Sequence, residues 1–155
     1  YKRQVDWQYR IPSGGHRPVT LVFAREKNEK ALKKALLNGQ TVVWYDKKLI
    51  GKSDHLLPLI NSSLEIESAH YINATTIAHV VISNNSDAPY TMRNQSEYDF
   101  YNGTNLITIP PHGSAIVDVR TLTKKRKFEL QFEVLNALVM PDTHPLFRIV
   151  VRPKQ

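Results

Sequence analysis

Cysteine is absent from this chain of 155 residues, which excludes disulfide bonds, thiolate metal sites and cysteine nucleophiles. No apolar run approaches the roughly 20 residues that a membrane-spanning helix requires, so we expect no membrane span. The sequence also lacks the motifs G-x-S-x-G, G-x-G-x-x-G and H-E-x-x-H and the phosphate-binding P-loop. It has no signal peptide and begins at Tyr1, so we expect a cut-out or a processed form.

The composition is that of a folded protein with a basic surface. Hydrophobic residues make up 41% and charged residues 23%, and the formal net charge is +7. A basic excess suits nucleic acid, an anionic surface or a phosphorylated substrate, but the Lys and Arg residues are scattered apart from a run at 124–127. No aromatic residues interleave this run, so we interpret it as a solvated turn and expect no nucleic-acid partner.

Residues 18–45 show a strand–helix–strand pattern. The apolar run at 19–24 is continuous, as in a strand that is covered on both faces. Asn28 suits a helix N-cap, Gly39 suits the left-handed position after a helix, and 41–45 is rich in β-branched and aromatic residues. Two strands and one helix cannot cover both faces of a sheet. This unit must therefore pack against the rest of the chain or against a part outside it.

The pattern changes after a short helix at 54–61, which we expect Ser53 to cap and Pro58 to limit to one or two turns. Beyond it, turn-forming residues separate eight candidate strands, at 64–68, 76–82, 90–92, 97–101, 106–109, 115–119, 128–134 and 146–151. This spacing predicts an antiparallel sandwich of immunoglobulin-like (Ig-like) type. The fold class is therefore mixed α+β, with a strand–helix–strand unit at 1–62 and the β-sandwich at 63–155.

The six histidines form no H-x-H pair. Asp142 and His144 have the D-x-H spacing of metal ligands, but they lie in a proline-framed loop with no second cluster, so we interpret them as loop residues. His79 lies inside an apolar strand, which favours a core or edge histidine over a ligand. We therefore predict no catalytic residue and no metal ligand in this chain.

Four aromatic residues lie close together in the sequence: Tyr90, Tyr98, Phe100 and Tyr101. Tyr98 and Tyr101 are candidates for an aromatic platform that binds carbohydrate rings. The alternative, which we favour, is that Tyr98 and Phe100 lie two residues apart on one strand face and pack into the sandwich.

Five N-x-S/T sequences begin at Asn61, Asn73, Asn84, Asn94 and Asn102. In a secreted eukaryotic protein they would suggest N-linked glycans. The alternative is that Asn, Ser and Thr fill the turns of a β-rich domain.

The stretch S-G-G-H-R-P-V-T at 13–20 raises a further question of function. Paired glycines beside His16 and Arg17 suggest an anion-binding loop, which would need backbone N–H groups at a helix start. Pro18 lacks an N–H and the residues beyond it continue as a strand, so we expect this loop mainly to lead into the strand.

Several segments resemble a known family. G-G-H-R-P-V-T-L-V-F-A at 14–24 and A-L-L-N-G-Q-T-V-V-W at 35–44 resemble the end of the PHP (polymerase and histidinol phosphatase) domain of bacterial metal-dependent phosphoesterases, where Gln40 is usually Arg. L-I-G-K at 49–52 and F-E-V-L-N-A at 132–137 resemble the Ig-like C-terminal extension of an exported subfamily.

This resemblance implies a non-catalytic C-terminal portion of such an enzyme. The family's H-x-H and D-x-H metal ligands would precede this segment, so divalent metals are expected in the missing part of the parent and the chain alone is expected to be inactive. The resemblance also implies a periplasmic or secreted location, and it implies that the chain packs against the rest of the phosphoesterase domain. In the full-length protein, it further implies that His16 and Arg17 contact a substrate phosphate. The alternative is a stand-alone module that binds carbohydrate or a protein partner.

Overall fold

The computed structural model describes residues 18–101 and 103–154. These residues form two helices, α1 (Glu29–Leu37) and α2 (Ser53–Ser63). Their strands are β1 (Val19–Val22), β2 (Thr41–Tyr45), β3 (Lys48–Gly51), β4 (Leu64–Tyr71), β5 (Ile77–Asn84), β6 (Tyr90–Asn94), β7 (Leu106–Ile109), β8 (Ser114–Arg120), β9 (Phe128–Val134), β10 (Ala137–Leu138) and β11 (Leu146–Val151). The fold is mixed α+β and mostly antiparallel β, as the sequence predicts.

Helix α1 begins and ends where its sequence signals predict. The side-chain oxygen of Asn28 accepts a hydrogen bond from the N–H of Ala31 at 2.8 Å, and Gly39 adopts a φ of 65° beyond the helix end. These caps satisfy backbone groups that an α-helix leaves unpaired at its termini. The chain then returns as β2, which pairs antiparallel with β1, so the strand–helix–strand prediction is confirmed.

Two sheets in the second part of the chain form the predicted sandwich. One has the strand order β4-β5-β8 and the other β11-β9-β6-β7, and all pairs within them are antiparallel. In β9, the alternate residues Phe128, Leu130, Phe132 and Val134 are buried, whereas the residues between them are exposed or half-buried. Strands with one core face and one solvated face have this alternation.

The amino-terminal strands form a third sheet, in the order β1-β2-β3-β10. Its last strand comes from the sandwich part of the chain and pairs parallel with β3, with Ala137 opposite Leu49. Leu49, Leu56 and Ile60 belong to the same buried cluster as the sandwich residues, and each such side chain contributes about 1.5–3 kcal/mol when it is buried. Since α2 leads directly into β4, the domain boundary at 62/63 stays a sequence-based prediction.

The expected limit on the second helix is wrong. Helix α2 has 11 residues, its N-cap is Lys52 rather than Ser53, and Pro58 lies inside it. Proline removes one backbone hydrogen bond and costs about 3 kcal/mol in a helix interior. Pro58 is exposed, so water can solvate the carbonyl that the ring leaves unpaired. The burial of Leu56 and Ile60 offsets this cost. The prediction of a shorter helix considered the proline and left out this burial.

The predicted strand at 97–101 is also wrong. This segment is irregular and makes a single isolated bridge at Phe100. The side chain of Asn94 explains the change of direction, because its oxygen accepts the N–H of Ser96 at 2.9 Å and its amide donates to the Tyr98 carbonyl at 2.8 Å. Such side-chain hydrogen bonds compete with strand pairing and turn the backbone.

The alternation predicted along β4 is interrupted by a bulge between Ile66 and Ser68. A bulge adds one residue to a strand and moves the residues that follow to the opposite face. Ser68 is therefore exposed, and Ala69 and Tyr71 are buried in its place.

Candidate functional site

The amino-terminal sheet presents an apolar surface to solvent. Val42 and Leu49 are buried on the core side, and neighbouring residues of a strand point to opposite faces. Val43 and Ile50, which are cross-strand partners, therefore point away from the core, and they are 37% and 43% exposed. We term this surface the outer sheet face, and by register it comprises Thr20, Val22, Thr41, Val43, Tyr45, Lys48 and Ile50.

Strand β1 departs from the prediction that both its faces are covered. None of its four residues is buried, and Val19 is 40% exposed. Leu21 packs against the core as a partly buried residue, while Thr20 on the outer sheet face is exposed. An apolar strand that is covered on one side is typical of a sheet that packs against a further layer of structure.

Helix α1 is incompletely covered as well. It buries Ala35 alone among its nine residues, although Leu32 and Leu36 follow the helical spacing of an apolar face. In the part of the chain that the structure describes, more than half of the exposed large apolar side chains lie within residues 19–50: Val19, Leu32, Leu36, Leu37, Val43, Tyr45 and Ile50. Exposed apolar side chains are therefore concentrated in the amino-terminal unit.

The surface has two concave regions, one beside α1 and one on the sandwich. An open hollow of about 820 Å³ runs along α1, and its lining includes Lys30, Lys33, Lys34 and the apolar Leu37. A smaller cleft of about 300 Å³ lies between β7 and β8, with Leu106 and Ile116 at its walls. Within the described residues, neither hollow combines an enclosed apolar interior with converging titratable groups, which enzyme sites usually have.

The structure separates the two tyrosines that the sequence places in a carbohydrate platform. Tyr98 is 8% exposed and packs its ring edge-on against Phe128 at a centroid distance of 5.3 Å. Tyr101 is 52% exposed, and the guanidinium of Arg120 lies 4.9 Å from its ring centroid. Phe100 is buried, in agreement with the packing alternative. Carbohydrate binding at Tyr101 stays a hypothesis. The other two candidates, at positions 16 and 17, lie outside the described residues.

The basic run at 124–127 is attached to the sandwich by two tyrosines. The hydroxyl of Tyr71 accepts the N–H of Lys125 at 2.6 Å, and the hydroxyl of Tyr98 accepts a hydrogen bond from the Lys125 ammonium at 2.7 Å. This bond raises the pKa of Lys125. A hydrogen bond with Tyr98, followed by the charge of Lys125, lowers the pKa of Glu97. The run is therefore an anchored turn.

A Tyr98→Phe variant tests this anchoring. The substitution keeps the buried ring and removes the hydroxyl that accepts from Lys125, so the free energy of unfolding should fall. Urea denaturation measures the change, and Lys127→Ala in the same run serves as the control. An unchanged midpoint for Tyr98→Phe would show that the hydroxyl does not hold the turn.

The histidines lie in separate environments. Across residues 18–101 and 103–154, no three His, Asp or Glu side chains converge to hold a metal ion. Two described histidines contact other rings: His55 stacks on Phe23, and the ring of His70 lies beside that of His79. Two lie beside carboxylates, with His79 Nδ1 2.7 Å from Asp118 and His112 Nε2 2.7 Å from Asp87. The Nδ1 atom of His144 lies 2.8 Å from the Ala137 carbonyl oxygen. The contact of His144 agrees with its interpretation as a loop residue.

Comparison with solved structures shows a similar fold in a two-domain protein from Bacteroides vulgatus. That protein is described as containing a predicted PHP-like metal-dependent phosphoesterase. The TM-score is 0.74 at 24% sequence identity, and the match covers 88% of this chain and 39% of that one. The chain thus spans about two fifths of that protein's length. No curated protein sequence matches the chain.

The second part of the chain also matches a sequence family. Residues 64–150 match DUF5001, whose members are described as an Ig-like domain. This range begins at the first residue of β4 and ends one residue before the end of β11, and it includes both sheets of the sandwich. No helix of the described residues is long and apolar enough to cross a membrane. The match covers more than half of the chain, which therefore belongs to the DUF5001 family of Ig-like domains.

Proposed function

We propose that this chain is the non-catalytic carboxy-terminal portion of an exported bacterial PHP-type metal-dependent phosphoesterase. The Ig-like sandwich serves in it as a structural or docking domain. One observation carries this proposal: the fold similarity covers 88% of the chain, whereas the Ig-like family match is limited to residues 64–150. The similarity to the two-domain protein therefore extends into the amino-terminal unit, where an isolated Ig-like domain would have no counterpart.

The outer sheet face is the surface that we assign to contact with the rest of the parent domain. Its central pair, Val43 and Ile50, is apolar and only partly covered. Burial of such surface stabilises an interface by about 25 cal/mol per Å² of apolar area. The amino-terminal unit shares its core with the sandwich, so a parent domain docked on its outer face would be joined rigidly to the Ig-like part.

The proposal assigns the chemistry to the remainder of the parent. Divalent metals would be bound there, and hydrolysis would use a metal-bound hydroxide. This chain would contribute at most the segment with His16 and Arg17, where a guanidinium can bind a substrate phosphate. The same proposal places the protein in the periplasm or outside the cell.

A pair of matched substitutions tests the docking surface in the longer parent protein. Ile50 on the outer sheet face and Ile116 on β8 are both isoleucines, 43% and 57% exposed. In the isolated chain, Ile50→Asp and Ile116→Asp should each change the free energy of unfolding little. In the parent, Ile50→Asp should cost at least about 2 kcal/mol, because the new carboxylate would lose its hydration at the interface.

Thermal unfolding and limited proteolysis of the parent measure this difference. Equal behaviour of the two variants in the parent would contradict docking at the outer sheet face.

A phosphatase assay with Mn²⁺ tests the non-catalytic assignment independently. The parent should hydrolyse a phosphate monoester, and the isolated chain should not. Activity that co-purifies with the isolated chain would contradict the non-catalytic assignment.

A further inference from the structure

The solvent face of the sheet β4-β5-β8 carries a row of polar side chains that the proposed function does not use. His70 on β4 is the cross-strand partner of His79 on β5, and His79 is in turn the partner of Asp118 on β8. Residues next to this row, such as Ala78 and Val119, are buried. The row of His70, His79 and Asp118 therefore lies on the opposite, outward face.

Asp118 fixes the orientation of one imidazole. Its carboxylate oxygen lies 2.7 Å from Nδ1 of His79. Both side chains are partly shielded from solvent, with His79 27% exposed and Asp118 16% exposed. A carboxylate next to Nδ1 keeps the proton on that nitrogen and leaves Nε2 as the lone-pair nitrogen. In metal sites, a carboxylate that accepts from a histidine in this way orients the ring and raises its basicity as a ligand.

The second histidine lies at a distance that suits a shared ion. The ring centroids of His70 and His79 are 5.1 Å apart, and the ring planes are tilted by 46°. With zinc–nitrogen bonds of about 2.0–2.1 Å and a tetrahedral angle at the metal, the centroids of two ligating imidazoles lie about 5 Å apart. The separation of the two rings is therefore that of two imidazoles which share one ion.

We propose that His70 and His79 form a surface site for a borderline divalent cation of the zinc type, with Asp118 as the positioning residue for His79. Among the described residues, no His, Asp or Glu provides a third ligand beside His70 and His79, so water completes the coordination. Lys154, which forms a backbone bridge with His70, supplies no ligand because an ammonium has no free lone pair. Imidazole nitrogens select Zn²⁺, Cu²⁺ or Ni²⁺ over Mg²⁺.

Isothermal titration of the untagged chain with Zn²⁺ tests the site. We expect one Zn²⁺ per chain with micromolar affinity, and no binding of Mg²⁺. His70→Gln and His79→Gln should each weaken zinc binding by more than about 10-fold, and Asp118→Asn should weaken it by about 10-fold through the loss of ring orientation. Imidazole resonances of His70 and His79, but not of other histidines, should shift in the NMR spectrum as zinc is added.

His112 provides a matched control, because its Nε2 also lies 2.7 Å from a carboxylate, that of Asp87. It has no ring contact with another histidine among the described residues, so His112→Gln should leave zinc affinity unchanged. Equal loss of affinity in His112→Gln and His70→Gln, or an unaltered affinity in His79→Gln, would overturn the proposal. Circular dichroism of each variant separates loss of the site from loss of the fold.

Discussion

An Asn84→Ala variant is expected to lose about 3 kcal/mol of the free energy of unfolding. Asn84 is 1% exposed, and its amide donates to the carbonyls of Ala88 and Pro110 at 2.8 and 3.0 Å. Its oxygen accepts from the N–H and the hydroxyl of Ser86 at 3.0 and 2.8 Å. Alanine would remove all four hydrogen bonds at once, each with a net contribution of about 0.5–1.5 kcal/mol. The Ala88 carbonyl would still accept from the Ser86 hydroxyl at 3.2 Å, and the Pro110 carbonyl from the N–H of Gly113 at 3.3 Å.

The next residue in the chain offers a control for this substitution. Asn85 is exposed, and its amide donates to a carboxylate oxygen of Glu65 at 2.9 Å on the surface. Asn85→Ala should therefore change stability by less than about 0.5 kcal/mol. Urea denaturation monitored by circular dichroism compares the two variants. If both lose the same stability, the buried hydrogen bonds of Asn84 are not what closes this turn.

The same contacts explain two of the five N-x-S/T sequences. In both Asn84 and Asn94, the side-chain oxygen accepts the N–H of the serine two residues later, and the amide donates to the carbonyl four residues later. A glycan would have to attach to these amide nitrogens, which in the folded protein are bound to carbonyls. At these two positions the turn-forming alternative therefore accounts for the sequence.

Features of the fold that depend on local chemistry could be predicted from the sequence. The N-cap at Asn28, the left-handed Gly39 and the alternation along 128–134 each follow from backbone sterics and side-chain period. Features that depend on distant partners could not. The three turns of α2 depend on burial against other elements, and the irregular course of 97–101 depends on one asparagine side chain.

The histidine row was predictable in part. Residues 70 and 79 are equidistant from the turn at 73–76, so a hairpin centred on this turn pairs them directly. The placement of Asp118 beside His79 depends on β8 pairing with β5 across 39 positions of sequence, which the sandwich topology decides. The sequence also predicts that the amino-terminal sheet has a face which the unit itself leaves uncovered, because a strand–helix–strand unit cannot cover both faces of its sheet. It does not predict which residues form that face.

Phe132→Ala is expected to produce the largest loss of stability, about 3–5 kcal/mol. The side chain is fully buried on β9, and its ring centroid lies 6.1 Å from that of Phe100 and 6.5 Å from that of Phe147. These distances fall within the range of favourable aromatic pairs. Alanine would leave a cavity between the two sheets, and close-packed neighbours can fill it only in part.

The variant Gln131→Ala controls for changes on the same strand, because residue 131 lies on the opposite face and its side chain is outside the core. It should alter stability by less than about 0.5 kcal/mol. Calorimetry of Phe132→Ala also tests how the chain is organised. Leu49 of the amino-terminal sheet belongs to the same buried cluster as Phe132, so heating should give one cooperative transition at a lower temperature. Two separate transitions would instead mean that the amino-terminal unit retains its structure after the sandwich has unfolded.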